Sequence, residues 1–397
     1  MLLPIGDTPN PENYFPWGNW LLIAANVAVY VLITWPLSHR AVNPYDPALY
    51  EYLKVMAPHL PRNLSVPQLL QHLSAYELYV FKHGFKAGAP EISDLFYSLF
   101  LHGGFMHLFG NMLFLWIYGD NVEHRIGHLP YLVVYIFCGV CATLFFALFT
   151  RGSMTPLVGA SGAISGTLGL YYLFFPRNRI KVFLFFFPFF MDVFLIPARI
   201  VLGFYLLIDN LLPFMISGSA GGVAHGAHIG GFLAGLACAW GFARLQERPD
   251  YAFSPAGEHP SEAPGPEPSE PPLLRLQQAL IRGDRDGAFA SLRELDPNLL
   301  LSLEADDLIR LSEWLREAGH HRAADHLLRS YIRSHPGSPD LARVYLALGR
   351  ARIAEGQAPS AYQYLLEGLD HSPDPATEAA LRQALKRVDN YWDKGKG

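Results

Sequence analysis

The chain has 397 residues, 51% of them hydrophobic, with 35 Asp and Glu against 30 Lys and Arg. A net charge of −5 leaves no basic footprint for nucleic acid, so no nucleic-acid partner is expected. The three cysteines, Cys138, Cys141 and Cys238, all lie in apolar runs, which argues against a disulfide framework and for small packing residues.

The averages hide a split. Up to about residue 248 the chain is rich in Phe, Leu, Tyr and Gly and poor in charge; from about 273 it is rich in Leu, Ala, Arg and Glu. A helix that spans a bilayer needs about 20 mostly apolar residues. Six such spans are predicted, at 17–36, 96–119, 130–149, 157–175, 198–216 and 223–243. Trp17 and Trp35 bracket the first and suit the membrane interface. No basic n-region precedes it, so it reads as a retained anchor. Residues 37–95 form a long first loop. Leu69, Leu70, Leu73 and Tyr76 recur there at helical spacing and predict short amphipathic helices at the membrane face. Residues 182–196, interrupted by Pro188 and Asp192, read as a hydrophobic connector at the interface.

Basic residues in short loops set orientation. His124 and Arg125 follow the second span, Arg177, Arg179 and Lys181 the fourth, and Arg244 and Arg248 the sixth. All lie on one side, which is therefore cytosolic, with both termini. The expected setting is the inner membrane of a bacterium.

Residues 249–272 are rich in Pro, Glu, Ser and Ala and predict a disordered linker. In 273–397 a helical repeat follows. Gly283, Gly319 and Gly356 recur about every 36 residues, each between a leucine-rich and an alanine-rich helix. Pro297, Pro336 and Pro373 close the units. The period resembles the tetratricopeptide class, whose stacked helix pairs make concave binding surfaces; a plain helical bundle is the alternative. The expected fold class is all-α: a six-helix membrane domain (1–248) followed by a soluble helical repeat domain.

Polar groups inside the spans carry the functional signal. At about 1.5 Å per residue, Ser161 stands about 24 Å above the cytosolic edge marked by Arg177, and His228 about 24 Å above Arg244. Measured from Arg125, Asn111 stands about 21 Å up and His107 about 27 Å. In a hydrocarbon core about 30 Å thick, all four fall in one slab of the outer half. Gly162, Gly166 and Gly169 share a face of the fourth span, and Gly231 and Gly235 share one of the sixth, on the side of His228. Small residues at such intervals let helices approach closely enough for serine to meet histidine.

Three motifs in this order resemble the rhomboid intramembrane serine proteases. They are His107-Leu-Phe-Gly-Asn111, Gly159-Ala-Ser161-Gly162, and Ala227-His228-Ile-Gly-Gly231 with Gly235. Gly119-Asp-Asn-Val-Glu123 with Gly127 is similar to the family's second-loop motif. The similarity runs over roughly residues 15–245. The resemblance implies a serine endopeptidase with Ser161 as nucleophile and His228 as general base. It also implies an oxyanion hole of Asn111, His107 and the Ser161 backbone N–H. His102, Gly159, Gly162, Glu123, Gly231 and Gly235 would support the site, Glu123 by holding the second loop together. No cofactor and no metal are implied. The partners would be single-span membrane proteins cut near their outer end, the bilayer itself, and a cytosolic protein bound by the repeats.

Two positions depart from the family pattern. The residue four after the serine can be a tyrosine that packs on the histidine; here it is Ser165, which leaves that packing unassigned. The Trp-Arg pair often found in the first loop is absent, and Phe81-Lys82 stands nearest to it. His225 reads as a lining residue, and its three-residue spacing from His228 lacks the glutamate of a zinc protease helix. Asp209, mid-way along the fifth span, reads as a protonated or hydrogen-bonded group, with a third catalytic member as the alternative. Two other functions compete: a rhomboid-like protein that binds membrane proteins without cutting, and a transporter.

Overall fold

The computed structural model describes residues 2–11, 13–56, 66–186, 190–217, 224–246, 270–296 and 299–389. The chain divides into two compact units, Met1–Phe242 and Ala243–Gly397.

The first unit opens with strand β1 (Leu2–Thr8) and the apolar helix α1 (Trp17–Ser38), which carries a π turn at Tyr30–Thr34. The long loop then folds into α2 (Pro47–Met56), α3 (Val66–His72) and α4 (Ala75–His83), the short helices its spacing predicts. Val42, Leu49, Leu73, Leu78 and Phe81 form their common core. Ser74 and Glu77 cap α4 reciprocally, satisfying two N–H groups that the helix cannot.

The second expected span is not one helix. Short α5 (Asp94–Phe100) and long α6 (Phe105–Ile126) meet at 92°, and the break holds Gly103 and Gly104. Helix α7 (His128–Phe149) follows, then α8 (Ser161–Phe174). At 14 residues α8 is about 21 Å long, short of the hydrocarbon thickness. The residues before it, expected to be helical from 157, run as irregular backbone in which Leu157 pairs with Phe85. Such backbone is tolerated at membrane depth only inside protein. Here the fit is close: every residue from Gly162 to Tyr171 is buried. Leu168 and Tyr171 of α8 join Tyr118, Tyr131, Tyr135, Phe175 and Phe232 in the core of the unit.

After α8 the chain forms β2 (Arg179–Phe186) and β3 (Phe190–Pro197), which join β1 in an antiparallel sheet of order β1-β2-β3. Thr8 pairs with Arg179, and Arg179 with Pro197. The first unit is therefore mostly helical rather than all-α, and the described residues of the connector expected at 182–196 lie in these two strands. Buried Ile180 and Val182 alternate with Arg179 and Lys181, the period of two that builds a strand. Helices α9 (Ala198–Ile216) and α10 (His225–Gln246) complete the unit. Among the described residues, α1, α7, α9 and α10 are long and apolar enough to cross a membrane, and the bent α5–α6 pair makes a fifth candidate.

Glu123 accepts from the backbone N–H of Gly18 at 2.8 Å and of Asn19 at 2.6 Å, and contacts His128 Nδ1. It caps the start of α1, whose first N–H groups have no partner within the helix.

The second unit contains α11 (Pro272–Arg282), α12 (Arg285–Glu294), α13 (Ala305–Glu317), α14 (His321–Ser334), α15 (Leu341–Ala354), α16 (Ala358–Asp370) and α17 (Pro375–Asp389). Gly283, Gly319 and Gly356 stand at the turns within successive helix pairs with φ of +71°, +84° and +70°. Most of the linker expected at 249–272, and Pro297, lie outside the described residues.

Candidate active site

Ser161 is the first residue of α8, and His228 lies in the first turn of α10. Two helices must nearly touch for these side chains to meet. They do so through glycine: a Cβ on Gly231 would fall 2.0 Å from the Gly162 carbonyl oxygen, and one on Gly235 1.9 Å from that of Gly166. The result is a contact of 2.8 Å between Ser161 Oγ and His228 Nε2.

The other groups converge from α6 and the corner before it. Ser161, His228, Asn111 and His107 line one cavity of about 560 Å³, together with Met106, Phe146 and Tyr205. Gly159, at φ +125°, brings the chain against the His107 ring, where a Cβ would lie 2.9 Å away. Its N–H donates to the Ser98 carbonyl at 2.8 Å.

Asn111 is held from behind. Its Nδ2 lies 3.0 Å from His102 Nε2, while His102 Nδ1 lies 3.2 Å from the Phe100 carbonyl. A carbonyl only accepts, so Nδ1 carries the proton and Nε2 accepts from the Asn111 amide. One Asn111 N–H is thereby used, and its second is left for the cavity. His102 is fully buried, and Tyr76 of α4 clamps its backbone: the Tyr76 OH donates to the His102 carbonyl at 2.7 Å and accepts from its N–H at 3.1 Å. Tyr76, expected only as part of an apolar stripe, thus reaches the site through His102.

Residues 89–245 match the Rhomboid domain family model. This stretch is similar to a rhomboid domain. RHOMBOID-like protein 1 of Arabidopsis thaliana is 26% identical over 242 residues, 60% of this chain and 56% of that relative. Rhomboid protein 1, mitochondrial, of Saccharomyces cerevisiae is 28% identical over 158 residues, 38% of this chain and 42% of its own length. Rhomboid protease GluP of Bacillus subtilis is 39% identical over 84 residues, 21% of this chain and 16% of that protein. The chain thus spans about half the length of the first two relatives. All the cavity residues named above lie inside the matched stretch, whereas Tyr76 lies before it.

Sequence reading missed one element of this site. Asn210, on α9, places Oδ1 2.6 Å from His228 Nδ1. The adjacent Asp209, singled out for its charge, is exposed, and it is Asn210 that meets the histidine. The place that Ser165 leaves open is taken from the same helix: Tyr205 stands with its ring 6.4 Å from the His228 ring at an interplanar angle of 29°. His225 faces His228 edge-on at 6.4 Å and is not among the cavity-lining residues. Glu123 stands apart at the start of α1, and Lys82 of the Phe81-Lys82 pair binds Asp46 at 2.6 Å.

Proposed function

We propose that this chain is an intramembrane serine protease that cuts single-span membrane proteins near the outer end of their helix. The observation that carries it is the 2.8 Å contact between Ser161 Oγ and His228 Nε2 at the cavity of a mostly helical unit. A serine hydroxyl is a weak nucleophile until a neighbouring base takes its proton. In this reading Ser161 Oγ attacks the scissile carbonyl carbon, and its proton passes to His228 Nε2. The carbonyl oxygen becomes an oxyanion that receives the second Asn111 N–H, the Ser161 backbone N–H and His107. The N–H groups of the first helical turn have no carbonyl within α8 to bond, which makes Ser161 a natural donor. Collapse of the intermediate expels the amine, which takes the proton back from His228. Water then releases the acyl group by the same route in reverse. Donors aimed at the oxyanion contribute about 3 kcal/mol each in a site sheltered from water.

The topology belongs to the same proposal. Counting α8 as a span, six crossings return the chain to the side on which it began, and the basic loops make that side the cytosol of a bacterial cell. The helical repeats, of tetratricopeptide type, would then recruit a cytosolic partner or a substrate tail.

The test is labelling by a fluorophosphonate, which reacts only with an activated serine. Wild type should label; Ser161→Ala and His228→Ala should not, and the double variant should be no worse than either, because members of one unit are strongly non-additive. Equal cleavage of a transmembrane substrate in liposomes by Ser161→Ala would end the mechanism. A protein that binds such substrates without labelling would be a non-cutting rhomboid.

A further inference from the structure

We propose that Asn210 is a positioning residue that fixes His228 as the Nδ1–H tautomer, and that Tyr205 and Ser165 lock the helix turn which presents it. The inference rests on the protease reading for its purpose, and on the hydrogen-bond network for its content.

The network leaves one arrangement of protons. Asn210 Nδ2 lies 2.8 Å from the Tyr205 carbonyl, which only accepts. The amide nitrogen must face that carbonyl, so Asn210 Oδ1 faces His228. An amide oxygen only accepts, so His228 Nδ1 carries the proton at the 2.6 Å contact. A neutral imidazole has one proton, and Nε2 is then the bare nitrogen that faces Ser161 Oγ. This is the tautomer a general base needs. The opposite tautomer would set two acceptors against each other at Nδ1, so the Asn210 side alone decides it.

The backbone of α9 explains how one helix delivers both residues. Tyr205 and Asn210 open and nearly close a π turn, Tyr205–Leu211. In a regular α-helix residues five apart point about 140° from each other. The i to i+5 register of a π turn returns them to one face. The turn is clamped to α8. Ser165 Oγ donates to the Ser161 carbonyl at 2.8 Å, so its hydrogen is used there. The Tyr205 OH, 2.7 Å away, is therefore the donor to Ser165 Oγ. Residue 165 is thus tied both to the backbone of Ser161 and, through Tyr205 and Asn210, to His228. A helix bond and two side chains do from α9 what a tyrosine at position 165 would do from α8.

The experiment uses the full chain in liposomes. Asn210→Ala should slow fluorophosphonate labelling about 10- to 100-fold, the scale of a base misplaced by about 1 Å, with the loss in kcat rather than KM. Asn210→Asp keeps an acceptor at the same place and should recover most of the rate. Its carboxylate also favours the imidazolium, so the acidic limb of its pH–rate profile should move to higher pH. Tyr205→Phe should show a smaller loss without that movement. Asp209→Asn, one residue away on the exposed side, should match wild type in rate and profile. Nitrogen-15 spectra of histidine-labelled protein, with His228 assigned by difference from His228→Ala, should show a protonated Nδ1 and a bare Nε2. An Asn210→Ala protein that labels like wild type, or a His228 protonated at Nε2, overturns the proposal. The spectrum reads the tautomer without any activity. A wild type that fails to label yet shows Nδ1–H defeats the protease reading and leaves the positioning network standing.

Discussion

Gly231→Ala places a single methyl group where the dyad is most sensitive. The added Cβ would lie 2.0 Å from the Gly162 carbonyl oxygen, and real Cβ atoms do not come within 3.0 Å of such a neighbour. The obstacle is backbone on both sides, so no side chain can swing away, and α8 and α10 must part by about 1 Å or more. Gly162 follows Ser161 directly, and Gly231 lies one turn after His228, so the separation occurs at the proposed catalytic pair itself. A contact of 2.8 Å would open to nearly 4 Å, beyond the roughly 3.2 Å reach of a proton-transfer hydrogen bond. Labelling and cleavage should fall about 100-fold. Gly241→Ala is the matched control: it lies on the same helix with no atom within 4 Å of the new Cβ, and it should keep full activity. Both substitutions raise helix propensity by about 1 kcal/mol, so a difference between them reports packing alone. The assay is the fluorophosphonate labelling rate, with thermal unfolding in detergent to show that both variants fold. A folded Gly231→Ala protein that labels at the wild-type rate would refute the close-approach argument.

Asn111→Ala should lower kcat about 10- to 1,000-fold with KM nearly unchanged, since its donor acts on the transition state; a KM defect with normal kcat would remove it from the oxyanion hole. Tyr76→Phe leaves the His102 carbonyl and N–H without their partner and should destabilise the protein by about 1–3 kcal/mol with some loss of kcat; an unchanged melting curve and rate would show that the α4 clamp is dispensable. Burial, followed by the Asp120 carboxylate, raises the Asp7 carboxyl well above its ordinary range against the pull of the Tyr171 hydroxyl. Folded protein then holds a proton that unfolded chain releases, so stability falls as pH rises from about 4 through the raised value and is flat above it. Asp7→Asn should therefore melt higher than wild type at neutral pH and flatten that slope; a steeper slope would show that the carboxylate is the favoured form. A chain ending near Arg248 should still cleave a short transmembrane substrate in liposomes, and protease added to the outer face of sealed vesicles should spare the repeats; a folded but inactive truncation would make the repeats part of the catalytic machinery.

What the sequence revealed follows from what hydrocarbon tolerates. Ser161, His228, Asn111 and His107 stand out because each is a polar interruption of an apolar run, and loop charges alone put them at one depth. Glycines 162, 166, 231 and 235 are visible because only close packing explains them at those intervals. Asn210 was hidden for two reasons. Its neighbour Asp209 carries the charge that draws notice, and its inward direction depends on a π turn that no straight-helix projection produces. The sheet was hidden because a strand is read from alternation, and Phe183 to Phe190 are apolar at every position. Only Arg179 to Val182 keep the period. The break in the second span was marked by Gly103-Gly104, yet hydropathy runs straight across it because glycine is neither polar nor charged.

The polar groups of this site share a construction that their surroundings demand. A buried donor or acceptor without a partner costs about 1–3 kcal/mol, and water is scarce at this depth. Here the far side of each key group is bound to protein. His228 turns Nδ1 to Asn210, which turns its own amide nitrogen to Tyr205. Asn111 turns one N–H to His102, which turns Nδ1 to Phe100. In both chains the last acceptor is a backbone carbonyl, which has no proton to give and cannot reverse the direction of the others. The two chains therefore run one way, each leaving a defined group for the cavity: a bare nitrogen from His228 and an N–H from Asn111. A nucleophile's base and an oxyanion's donor are the two functions that must not exchange roles. Backbone carbonyls on α9 and on the α5–α6 corner hold them apart, so in the proposed mechanism the direction of proton flow would be set by the helices before any substrate arrives.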